Sequence, residues 1–368
     1  MKLKTRPQFS LLLLAGAVAL TAEATAQVVP RQTRDHRGAP QTSTAQPGLA
    51  VVPSPQGPVT QSVANASVTE MLRNANVATS GLLDGVPLLN GFRFRFTNGD
   101  HELRRVGVIA AGTSSANIAF YDQNGDDPFN AAASWIVLRG VGRRGTVVAA
   151  GDGQFDIPLP ETRPPGHRLV ITGFDFQREY DKNLRSVGIW LDEGRNVARV
   201  TFFDDRGFNG PTGQVGSNLG DAGLLPHPER GKGKVVPTMA DALRELPRIY
   251  HQNNFGGTIG KHPYAIQLQY ALIPSDLVAG AEYFTGNSRA PSSGKQFPTR
   301  GVLQGFEFYF GNSDHHVLDF GIMPPLPNGV VRSRGNKMPT ATDEFIAFQD
   351  KNRDDPIKWA VRFITLKN

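Results

Sequence analysis

Apolar and polar residues alternate with period two along much of the chain. In GFRFRF, residues 91–96, Phe92, Phe94 and Phe96 fall on one side and Arg93 and Arg95 on the other. That is the period of a strand with one buried face. Thr97, Asn98, Gly99 and Asp100 follow, and Asn-Gly tolerates the positive φ of a tight hairpin turn. Residues 101–109 then read as the return strand. One stretch departs from the alternation. Thr238, Ala240, Leu243 and Leu246 predict a helix capped by Thr238, with Pro247 ending or kinking it. Glycine and proline number 40 and 27, which in a strand-rich chain marks many turns. The expectation is an all-β fold with one short inserted helix.

Three stretches share one grammar: GFRFRFTNGDHELRRVGV at 91–108, GFDFQREYDKNLRSVGI at 173–189 and GFEFYFGNSDHHVLDFGI at 305–322. Each has Gly-Phe, an alternate Phe, an Asp eight or nine residues after the Gly, and an apolar strand ending in Gly plus Val or Ile. Each is followed by an aromatic strand running into an acid, at Asp122, Asp204 and Asp350. A closing strand comes next, beginning near Ser134, Tyr264 and Lys358. Recurrence of several features in one order predicts a structural repeat. The units span 61–145, 146–275 and 276–368, and the second carries an insert at 210–262. Each unit is expected to be one antiparallel supersecondary block with its Phe face and closing strand packed inward.

The start of the chain reads differently. Lys2, Lys4 and Arg6 precede the apolar run 11–20, and Ala24, Thr25 and Ala26 follow, the order of a cleaved export signal over 1–26. The apolar run is too short to span a bilayer comfortably, and no later segment is apolar for long enough to be a transmembrane segment. Residues 27–60 are rich in Pro, Gln, Thr, Ser and Gly, a composition that predicts a disordered linker. The protein is therefore expected to be secreted, periplasmic or at the cell surface. It has no cysteine, which excludes disulfides, thiolate metal sites and cysteine nucleophiles. The net charge is +6, and +4 without the leader. That small excess does not point to nucleic acid, which needs a concentrated basic face.

The order of a phenylalanine hairpin, a strand, an aromatic strand into an acidic turn and a closing Trp strand resembles the H-type lectin domain, most closely over 305–366. The resemblance implies a repeated antiparallel β-sandwich of jelly-roll or lectin-like kind, sugar as ligand and often a trimer. It carries over no sugar-binding residue. Where that family often has a tryptophan near the acidic turn, this chain has Phe348 and Gln349.

The acidic turns carry the candidate chemistry. Asp122, Asn124 and Asp126 stand at alternate positions with Asp127 after them, and Asp350, Asn352, Asp354 and Asp355 repeat the pattern. Hard oxygen donors at every second position suit Ca²⁺. The glycine and glutamate that complete an EF-hand are missing, so further ligands would come from elsewhere, with Asp100 and Asp314 as candidates. The alternative is an acidic turn whose Asp and Asn side chains bond their own backbone. His101 and His315 share a repeat position, where the middle unit has Lys182. They are candidates for ligand or metal binding, against a plain role as polar residues opening a strand. Trp135 and Trp359 lie at matched places in closing strands and are expected in the core. Trp190, at a strand end near a turn, is the candidate exposed platform for a sugar face.

Enzyme signals are thin: there is no G-x-S-x-G elbow, Walker loop or H-E-x-x-H pair. Three functional expectations follow. The first is an exported carbohydrate-binding or adhesive protein, calcium-stabilised, whose partner is a glycan or cell-surface polysaccharide. The second is a structural or assembly protein of the cell envelope, acting as a homo-oligomer. The third is a secreted hydrolase with its site assembled from scattered loop residues.

Overall fold

The computed structural model describes residues 50–51, 59–79, 85–111, 114–140, 142–204, 231–255, 263–286, 297–311, 315–324, 345–352 and 357–368. The expected leader, and all of the expected linker except 50–51 and 59–60, lie outside the described residues. So do Asp354, Asp355 and Asp314. Among the described residues the protein is mostly β, with three sheets and one α-helix. No helix among them is long and apolar enough to cross a membrane.

Twelve strands, four from each unit, build the sheets. The first unit gives β1 (Val86–Phe96), β2 (Leu103–Ala111), β3 (Ser115–Tyr121) and β4 (Pro128–Arg139). The second gives β5 (His167–Lys182), β6 (Ser186–Asp192), β7 (Val197–Phe203) and β8 (Pro263–Pro274). The third gives β9 (Gly301–Phe310), β10 (Asp319–Met323), β11 (Phe345–Gln349) and β12 (Ile357–Leu366). All twelve pair antiparallel.

No sheet follows the unit boundaries. One sheet runs β8-β5-β2-β3, a second β12-β9-β6-β7, and the third β4-β1-β10-β11. In every case the first and closing strands of one unit pair with the second and third strands of another. Further strands extend the edges. The long strand Thr60–Leu72 borders β4, and Val278–Gly286 borders β12. Ala50–Val51, within the expected linker, pairs with Arg143–Asp152.

The Phe faces meet where the three sheets face one another. Phe92, Phe174 and Phe306, the phenylalanines of the three Gly-Phe pairs, contact one another with ring centroids 4.9, 5.1 and 5.4 Å apart. All three are fully buried. Burying such a ring stabilises by roughly 2 kcal/mol, and tilted aromatic pairs add to that.

Just before each Gly-Phe the ladder shifts register, between Leu89 and Gly91, Ile171 and Gly173, and Leu303 and Gly305. The extra residues are the buried polar Asn90, Thr172 and Gln304, as a β-bulge produces. They tie one unit to the next. Asn90 Nδ2 donates to the Gly301 carbonyl at 2.5 Å, and Asn90 Oδ1 accepts from Ser134 Oγ at 2.8 Å. Gln304 Nε2 donates to the Leu169 carbonyl at 3.0 Å, and Trp135 Nε1 to the Thr172 carbonyl at 3.0 Å.

The glycines that end the repeat grammar have one shared cause. Gly107, Gly188 and Gly321 lie opposite Asp175, Glu307 and Arg93. A Cβ at Gly321 would stand 2.4 Å from the Phe92 carbonyl oxygen and 2.6 Å from Arg93 Cα. The charged residues opposite are buried and two are seen in ion pairs. Arg93 grips Asp319 through two bonds of 3.1 and 2.7 Å, and Arg105 grips Asp175 at 2.8 and 2.6 Å. Burial works against the Arg105 charge, but the bonds and charge of Asp175 outweigh it and hold the guanidinium above its ordinary range.

The helix α1 spans Met239–Phe255. Thr238 caps it: its Oγ1 accepts from the Asp241 N–H at 3.1 Å and donates to Asp241 Oδ2 at 2.6 Å. Ala242 and Leu246 pack on Val148, Ala150 and Ala265 of the sheet below. Pro247 lies inside the helix, so of the two outcomes expected from sequence, ending or kinking, it does not end it. The lost hydrogen bond to the Leu243 carbonyl is offset by this packing.

Candidate functional site

In each unit a buried aspartate directly follows the third strand. Asp122, Asp204 and Asp350 keep 8, 2 and 5% of their surface. A carboxylate removed from water needs a cation or donors, and the three units answer differently.

In the second unit the answer is Arg178. Its guanidinium lies over the Phe202 ring at 4.1 Å and donates to the carbonyls of Lys182 and Asn183 at 3.4 and 3.3 Å. Burial pulls this guanidinium down to about 10, with the charge of Asp204 foremost among the groups opposing the fall. In the third unit His315 sits 4.8 Å from the Phe310 ring, and its Nδ1 lies 4.0 Å from Asp350 Oδ2.

The first unit is more elaborate. His101 lies edge-on to Phe96 at 4.7 Å. Its Nδ1 stands 3.0 Å from Asp127 Oδ2, and its Nε2 stands 3.2 Å from Asn98 Oδ1. Asn98 Nδ2 in turn donates to Asp127 Oδ1 at 3.0 Å. Asp122 Oδ1 accepts the Gly125 N–H at 2.7 Å. Burial pushes the Asp122 carboxyl up; the Gly125 N–H opposes, and the hydrogen bond and charge of Asp127 add to the rise. Ligand atoms of His101, Asp122 and Asp127 all lie within 4.8 Å of one another.

The acidic loop therefore closes on a different set from the one its spacing suggested. Gly125 turns the chain with a φ of +66°, which glycine adopts without penalty. Arg73 lies against this turn and donates to the Asn124 carbonyl at 2.5 Å. The turn leaves Asn124 and Asp126 exposed and brings Asp127 inward to Asp122. In the third unit Asp350 is buried and Asn352 exposed. The loops and hairpins of different units do meet, as the Lys351 N–H donates to Asp100 Oδ2 at 3.2 Å.

Trp190 is not an open platform. It is 3% exposed, lies across Gly305, where a Cβ would be 2.5 Å from its ring, and meets Tyr283 edge-on at 5.8 Å. The glycine opposite makes the room that buries it. Trp135 and Trp359 are in the core, as expected.

Exposed aromatic residues instead flank a cleft that sequence reading missed. Between the end of β5 and helix α1 lies a cleft of about 400 Å³ lined by Arg178, Glu179, Tyr180, Lys182, Tyr250 and His251, with Pro247 and Pro263. Tyr180 and Tyr250 are 55 and 41% exposed. The Glu179 charge raises the Tyr180 phenol above its ordinary value. A faint signal was present: Tyr180 stands near the end of β5, in the unit that also carries the helix. In comparisons with known proteins, no family model matches the chain and no curated protein matches it.

Proposed function

We propose that the protein is an exported, non-catalytic carbohydrate-binding or adhesive β-repeat protein, and that its glycan lies in the cleft between β5 and α1. The observation that carries this reading is the pair of exposed tyrosines, Tyr180 and Tyr250, on one cleft. A sugar ring has apolar C–H faces and a polar rim. Tyrosine rings suit the faces, and Glu179, Lys182 and His251 suit the hydroxyls. The cleft's size falls within the ordinary range of small-ligand sites, about 300–1,000 Å³. Export by the leader over 1–26, the likeness to lectins and a glycan of the cell surface belong to the same reading.

A glycan array tests it. The full chain should retain a defined set of glycans. Tyr180→Ala and Tyr250→Ala should each weaken binding at least about tenfold, the scale of one aromatic contact, with melting temperature unchanged. Retention of no glycan, or undiminished binding by both variants, contradicts the reading.

A second reading, a structural protein that assembles with copies of itself, is favoured by one observation. The 13-residue strand Thr60–Leu72 ends its sheet with Met71 and Leu72 exposed, and an exposed strand edge is a template for pairing. Light scattering decides it: a monomer across the micromolar range removes this reading.

A further inference from the structure

We propose that His101, Asp122 and Asp127 form a binding site for one first-row divalent cation of the zinc class. The proposal stands apart from the glycan cleft and does not depend on it.

The donor set comes first. One imidazole nitrogen and two carboxylates converge from two elements, the β1–β2 hairpin and the β3–β4 loop, with ligand atoms within 4.8 Å of one another. None of the three side chains is freely exposed. Imidazole with carboxylates is a donor set that zinc-class ions accept, at bond lengths of about 2.0–2.2 Å. Calcium takes six to eight oxygens, and this group supplies a nitrogen and few oxygens, with Asn124 and Asp126 exposed. Two ligands on one such ion lie at most about 4.2 Å apart, so small side-chain movements close the set.

The second shell is already in place. His101 turns Nδ1 toward Asp127 and holds Nε2 on Asn98 Oδ1 at 3.2 Å. An imidazole that binds metal through one nitrogen usually donates its other N–H to a carbonyl or carboxylate. Asn98 also donates to Asp127 Oδ1 at 3.0 Å. One side chain thus orients two of the three ligands and leaves Asp127 Oδ2 and Nδ1 facing the same space.

The repeat supplies an internal control. At the matching strand end of the second unit the chain places a permanent cation, Arg178, with Asp204 the leading carboxylate acting on it. In the third unit His315 Nδ1 faces Asp350 Oδ2 at 4.0 Å. The first unit alone, among the described residues, sets two carboxylates against one imidazole with ligand atoms within 4.8 Å of one another. Arg73, the nearby guanidinium, donates to the Asn124 backbone. A divalent ion supplies at this strand end the charge that Arg178 supplies in the second unit.

Isothermal titration of the chelator-treated full chain with zinc chloride tests the site. One ion per chain should bind at neutral pH. Affinity should fall at least about tenfold in His101→Ala and in Asp127→Asn, since losing a ligand costs no less than losing an outer partner. His315→Ala should bind as the parent does. Binding should weaken on acidification, because protons compete for the same donors. If Asp127→Asn does not fold, His101→Gln gives the same reading. Absence of zinc binding, binding unchanged in the variants, or calcium taken as tightly as zinc would each overturn the proposal.

Discussion

At the scale of single residues, close approach and burial decide what the chain tolerates. Gly321 faces the backbone of β1, and an added methyl meets the Phe92 carbonyl and Arg93 Cα inside contact distance. Gly321→Ala should destabilise the fold by about 1–3 kcal/mol, the usual penalty of overpacking. Gly280→Ala, where a Cβ meets nothing within 4 Å, should change stability by less than about 0.5 kcal/mol. Paired denaturant curves measure both, and equal effects would refute the packing argument. Two buried phenols give a pH dependence. Burial, then the charge of Glu161, pushes Tyr270 up to about 12, and burial raises Tyr264 well above its ordinary value. Because the folded state favours their neutral forms, that stability is full below about 10, the ordinary tyrosine value. It is lost as pH rises toward about 12. Absorbance titration should show these phenols ionising late and together with loss of β structure. Ionisation of all tyrosines near 10 in an intact fold would contradict it.

At the scale of elements, what was legible in the sequence was local. The period-two faces around Phe92, Phe174 and Phe306 and the Thr238 cap needed only neighbouring residues to be read. The site was legible in part. Asp122, Asp127 and His101 could be named as candidates, but their grouping turns on the backbone at Gly125, which sends Asp126 out and Asp127 in. The even spacing suggested a ring of oxygens that the turn does not make. Trp190 was misjudged because its burial depends on Gly305, more than a hundred residues away. Asn90, Thr172 and Gln304 were overlooked because each looks like an ordinary polar residue before a Gly-Phe, and only the register shift shows its role. Pro247 could be read as ending or kinking the helix, and tertiary packing carries the helix past it. Pro247→Ala should restore a donor to the Leu243 carbonyl and stabilise the protein, by up to about 3 kcal/mol. A thermal scan checks this, and a fall in melting temperature would mean that the proline is needed for the cleft wall.

At the scale of the molecule, the three sheets interlock distant stretches of the chain. Each sheet takes its first and closing strands from one unit and its other pair from another. The buried links from Asn90 to Gly301, from Gln304 to Leu169 and from Trp135 to Thr172 all cross between units. A unit excised at its sequence boundaries would lose the partners of two strands and expose sheet edges. A chain without disulfides gains its stability this way, from one shared core. The most direct test is differential scanning calorimetry of the full chain. The interlocked arrangement predicts a single transition over the described body, with calorimetric and van't Hoff enthalpies equal. Three separable transitions, or a cooperatively folded fragment comprising 276–368 alone, would contradict it.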